Sequence, residues 1–135
     1  MLTREQIQKI ADIKTDKVPT PEWAAEGMPA HEAFVWVRGL TAEELDQFEA
    51  SLITGKRKVS TDHMRAKLAV LAVVTGPERD APPLFRESDV EWLSQKSAGP
   101  VNRIYSKIRA QTAMTDADLE ELEKNLEKIP AADSS

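Results

Sequence analysis

The chain of 135 residues contains no cysteine. That absence removes disulfides, thiolate nucleophiles and every zinc site that needs sulfur, and it agrees with a cytosolic setting. Histidine is almost as scarce: His31 and His63 are the only imidazoles, and neither sits in an H-E-x-x-H frame. The ordinary reading of each is a surface or loop residue. No window approaches the roughly 20 apolar residues that span a bilayer, and MLTREQIQKIADIK has no apolar run of signal-peptide length, so no membrane partner is expected. No serine lies in a G-x-S-x-G elbow, and TGK at 54–56 lacks the rest of a P-loop frame. Asp116 with Asp118, or Glu120 with Glu121, could be written as an acid and a base. They fall on a helix start and a solvated face, where carboxylates are ordinarily structural. No catalytic residue, metal ligand or cofactor is assigned, and the chain reads as a non-enzyme.

Hydrophobic residues make up 41% and charged residues 30%, a composition that supports one globular core at this length. The net charge of −5 disfavours nucleic-acid backbones as partners, since that attraction rests on excess lysine and arginine. One basic run stands out, Lys56, Arg57 and Lys58. It reads either as a solvated interhelical turn or as the phosphate-contacting turn of a small helical DNA-binding regulator.

Thr3 and Gln6 form a capping-box pattern that predicts a short helix reaching about Asp12, with Ile7, Ile10 and Ala11 on one side. DKVPTPEW must then be extended, because Pro19 and Pro21 forbid a helix interior. Both prolines remove donors from one strand edge and leave Val18, Thr20 and Glu22 to pair on the other, with Phe34 to Val37 as partner. Gly39 ends that strand, and Thr41 with Glu44 opens a second helix carrying Leu45, Phe48, Leu52 and Ile53, stopped by Gly55. Ser60, Thr61 or Asp62 caps a third, in which LAVLAVV is apolar nearly all round and so central. Ser88 with Glu91 starts a fourth, with Leu84 or Phe85 as hydrophobic staple. Gly99-Pro100 precedes a fifth carrying Val101, Ile104, Tyr105 and Ile108. Thr115 caps a last one with Leu119, Leu122, Leu126 and Ile129, ended by Pro130. The expectation is a mainly α (α+β) domain over 1–129, with about six short helices and a small two-stranded antiparallel β-ribbon at about 17–38, then a flexible tail at 130–135.

The aromatic residues are few: three tryptophans, three phenylalanines and one tyrosine. Phe34 and Trp36 share one strand face while Val35 and Val37 share the other. Either the helices and the loop 24–33 cover both faces, or one face or the open edge takes a partner by apolar docking or strand addition. The open edge is also a route to a homo-oligomer. Trp92 is either part of a wide core face or an exposed anchor.

The order of these segments resembles the tail assembly chaperones of long-tailed bacteriophages and their prophage relatives. The resemblance is carried by LTREQI (Leu2 to Ile7), VPTPEW (Val18 to Trp23), VWVRGLTAEELDQFE (Val35 to Glu49), LFRESDVEWLSQKSA (Leu84 to Ala98) and TDADLEELEKN (Thr115 to Asn125). These run collinearly over most of the chain. The ten-residue connection AAEGMPAHEA and the tryptophan at position 92 depart from the family's pattern. The resemblance implies a non-enzymatic factor of the host bacterial cytoplasm, absent from the mature virion. It implies binding to the tape measure protein, which is kept soluble while tail tube subunits polymerise around it, with the major tail tube protein as a further partner. The family's pattern carries no defined binding residues, so the expected partner-binding residues are Phe34, Trp36, Trp92 and Trp23.

Overall fold

The computed structural model describes residues 1–54, 58–59 and 63–112. Capping decides where its helices begin. The Thr3 hydroxyl accepts the Gln6 N–H while the Gln6 side chain accepts the Thr3 N–H, and this box opens α1 (Arg4–Lys9). The Thr41 and Glu44 box does the same for α2 (Ala42–Ser51). Between them β1 (Thr15–Pro19) pairs with β2 (Phe34–Arg38) in antiparallel register, with Val18 opposite Val35 and Lys17 opposite Trp36. The extended segment is shorter than the prolines alone suggest. Pro21 opens a 3-10 turn (Pro21–Trp23), so Glu22 belongs to that turn and not to the strand.

The ribbon gains a third strand. α3 (Met64–Ala72) runs without a loop into β5 (Val73–Val74), and the sheet order is β1-β2-β5, antiparallel throughout. Val73 and Val74 are β-branched, and at Val73 the backbone is already extended (φ −83°, ψ 125°). A short hairpin of β3 (Ile53–Thr54) and β4 (Lys58–Val59) lies between α2 and α3. The stripe assigned to α2 therefore overshoots: Leu52 is its C-cap and Ile53 is already in a strand. The residue before α3 is His63, in the left-handed conformation (φ 57°) and without a side-chain cap bond. Gly55 and Ser60 to Asp62 lie outside the described residues, as do the helix expected from Thr115 and the tail.

A 3-10 turn (Glu87–Asp89) leads into the short α4 (Val90–Leu93), and α5 (Ala98–Thr112) follows with Pro100 in its first turn. Among the described residues the fold is α+β, with five α-helices, and a three-stranded sheet and the β3-β4 hairpin where a single two-stranded ribbon is expected from the sequence. α5 packs on β1, β2 and α3, and α3 also meets α2 and α4, so α3 is as central as its apolar run implies. Val18 and Val37 of the sheet meet Phe48, Leu68, Leu93, Ile104 and Ile108 of the helices in one buried core.

Candidate functional site

Alternation along β2 divides its side chains between two faces. Val37 is fully buried and Val35 packs at the core margin, while Phe34 and Trp36 look the other way. Their rings meet edge to face with centroids 5.8 Å apart. The cross-strand register brings Lys17 over both, its Nζ 4.5 Å from the Phe34 centroid and 5.3 Å from that of Trp36. Phe34 remains 36% exposed, so the connection 24–33 does not bury it. A cation resting on two aromatic faces gives a surface that is apolar yet positively charged.

Trp23 and Trp92 come together elsewhere. With Val35, Leu84, Phe85 and Leu93 they line a small apolar pocket of about 180 Å³. Trp92 is 45% exposed, which settles it as a surface residue; its ring meets Phe85 edge to face at 5.9 Å, and its indole N–H donates to Asp89 Oδ1 at 2.9 Å. Asp89 Oδ2 accepts the Arg86 N–H at 2.8 Å. That backbone bond, then the indole bond, holds the Asp89 carboxyl below its ordinary value. The expected cap Ser88 sits inside the 3-10 turn instead, and the capping carboxylate belongs to its neighbour. The four aromatic residues singled out in the sequence thus form two pairs on opposite faces of β2. Lys17 and Phe85 complete the pairs; the sequence signals only the second, through its position before the helix.

Both edges of the sheet are partly covered. Thr20 N–H donates to Ala33 O at 2.8 Å, so Asp16, Val18 and Thr20 face β2 and Thr15, Lys17 and Pro19 face outward. Pro19 has no N–H, and its carbonyl accepts from Arg103 Nε at 3.1 Å. The Lys17 N–H donates to Asp16 Oδ1 at 2.8 Å, and Lys107 Nζ holds Asp16 Oδ2 at 3.2 Å. The Lys17 amide first, and Lys107 second, keep the Asp16 carboxyl low. Arg103 also pairs with Glu22, whose carboxyl is lowered first by its own backbone N–H and then by Arg103. On the far side β2 pairs with β5, and β5 is covered in turn: Thr75 N–H donates to Pro82 O and Leu84 N–H to Val73 O, both at 3.0 Å. Strand addition at an open edge, expected from the sequence as one docking mode, is thus restricted at Pro19 and along β5.

Strand and helix are locked by one ion pair. Arg38 Nη1 and Nη2 reach the two Glu44 carboxylate oxygens at 2.6 and 2.5 Å, and Nη2 also donates to Leu71 O at 3.1 Å. Burial pushes the Glu44 carboxyl up, but the Arg38 hydrogen bond and the Thr41 amide outweigh it and the value is lowered; the Arg38 value is raised by the same bond.

Of the basic turn, Lys56 and Arg57 lie outside the described residues, and Lys58 is placed only as part of β4. Among the described residues no group of three or more His, Asp or Glu could hold a metal ion, and no helix is long and apolar enough to cross a membrane. The chain matches no protein-family model, no curated protein and no solved structure.

Proposed function

We propose that the chain is a stoichiometric assembly chaperone of a long-tailed phage or prophage, that it acts in the host cytoplasm, and that its client is the tape measure protein. The sequence resemblance supports this reading. The observation that carries it is the Lys17, Phe34 and Trp36 surface: an exposed Phe34 beside a half-buried Trp36, with a lysine over both rings. Such a surface takes a helical client through side chains, apolar stripe to aromatic ring and acidic flank to lysine. The Trp23 and Trp92 pocket offers a second contact, of a size for one apolar anchor residue. Neither contact needs a cofactor, and the excess of acid over the rest of the surface keeps a complex with an aggregation-prone client soluble.

Co-expression with the tape measure protein tests the assignment. Phe34→Ala with Trp36→Ala, and separately Trp92→Ala, reduce the recovered complex several-fold while the circular dichroism of the chaperone is unchanged. Undiminished recovery with both variants overturns it.

A further inference from the structure

Two arginines stack on one ring at the flank of α5. The Arg65 guanidinium, from the first turn of α3, lies 5.1 Å from the Tyr105 centroid, and that of Arg109 lies 5.6 Å from it. The Tyr105 hydroxyl reaches Met64 Sδ at 3.9 Å, so aromatic and thioether surface continues between the two cations. Tyr105 and Met64 pack against the core without being fully buried in it. The opposite flank of α5 differs in kind: there Arg103 pairs with Glu22 and Lys107 with Asp16, so its charges are met by β1 and the turn after it. Two like charges gathered around one ring are stabilised by an anionic neighbour.

The chain itself supplies such a neighbour. α5 ends at Thr112, three residues beyond Arg109, and that end is fixed by the bond from Leu40 N–H to Thr112 Oγ1. Only Ala113 and Met114 separate it from Thr115, where the sequence predicts the last helix. Helices joined by two to five residues ordinarily return antiparallel against one another. Residues 115–129, which lie outside the described residues, span as many positions as α5, 15. They carry Asp116, Asp118, Glu120, Glu121, Glu123 and Glu127 against only Lys124 and Lys128, with Leu119, Leu122, Leu126 and Ile129 at helical spacing. An antiparallel return across Ala113 and Met114 brings Asp118 level with Arg109 and Leu122 level with Tyr105.

We infer that the acidic segment 115–129 folds back along the Tyr105 flank of α5, its leucines on Tyr105 and Met64 and its carboxylates on Arg65 and Arg109. The tether selects this occupant. A two-residue connection holds the segment at an effective concentration that a free partner or a second copy has to exceed. This inference does not depend on the identity of the client.

The absence of native cysteine makes the test direct. In the full chain, Asn102→Cys with Asn125→Cys places one thiol at an exposed position of α5 and the other level with it on the returning segment. A short bis-maleimide is expected to give a product at monomer mass, in at least fivefold higher yield than the control pair Lys107→Cys with Asn125→Cys on the far flank. Arg65→Glu with Arg109→Glu lowers that yield at least fivefold at low salt, and adding Asp118→Lys restores part of it. If the double reversal does not fold, Arg65→Glu alone, at an exposed residue, moves the yield in the same direction. A product confined to dimer mass, equal yields from the two cysteine pairs, or a yield indifferent to charge reversal overturns the inference.

Discussion

Gly39 and Gln111 meet backbone to backbone: a Cβ at position 39 would lie 2.5 Å from the Gln111 carbonyl oxygen. The next residue strengthens the seat, since Leu40 N–H donates to Thr112 Oγ1 at 3.0 Å. The turn from β2 into α2 thus rests on the end of α5, and a side chain there has to displace main chain. Gly39→Ala is expected to lose about 1–3 kcal/mol, the usual range for overpacking against a structure that cannot yield. Urea unfolding measures it; an unchanged midpoint would show that the end of α5 moves aside freely.

The Arg38 and Glu44 pair predicts an acid dependence with a definite sign. The folded Glu44 value lies below the ordinary 4.5, so its contribution is present above that value and is lost as pH falls through the lowered one. Asp16, Glu22 and Asp89 are shifted the same way and act in the same direction. The melting temperature should therefore hold from neutral pH down to about 5 and fall below about 4. Arg38→Met should remove about 1–3 kcal/mol at pH 7, between the values for exposed and buried pairs, and make the acid limb shallower. An acid limb of undiminished steepness in the variant would contradict the assignment.

Opening the β1 edge should cause association. Pro19→Thr restores an outward donor and Arg103→Ala frees the Pro19 carbonyl, so the double variant presents pairing groups that the native chain hides. Light scattering at matched concentration should rise above that of the native protein over hours. Equal scattering would mean that the edge is protected by something other than these residues.

Asp89 ties Trp92 to the start of α4. Asp89→Ala removes the acceptor for the Arg86 N–H and for the Trp92 indole, and is expected to lower the urea midpoint slightly. The freed indole should also change the tryptophan emission. Stability and emission both unchanged would show that the carboxylate is dispensable.

What the sequence revealed follows from how local each signal is. The two capping boxes lie within four residues of themselves, and the pairing side of β1 follows from Pro19 and the period of two, so both were readable without a fold. LAVLAVV was not: a segment apolar on all sides has no period to mark where helix gives way to strand, and β5 went unseen. Ser88 and Asp89 both have cap-forming side chains one residue apart, and only the path of the chain through Arg86 puts the carboxylate on a backbone N–H, that of Arg86. Phe34, Trp36, Trp23 and Trp92 were recognisable as unusual, yet their division between opposite faces depends on where α4 packs, which no short stretch specifies.

The direct passage of α3 into β5 leaves no slack between them: the Val73 N–H is still bonded to Ala69 O while Val73 and Val74 already pair with Val37 and Trp36. One continuous segment therefore runs from Val70 and Leu71 of α3 to the strand that carries the outward aromatics. A load applied at either end has no loop in which to dissipate, and the two sides of the molecule share a single mechanical member.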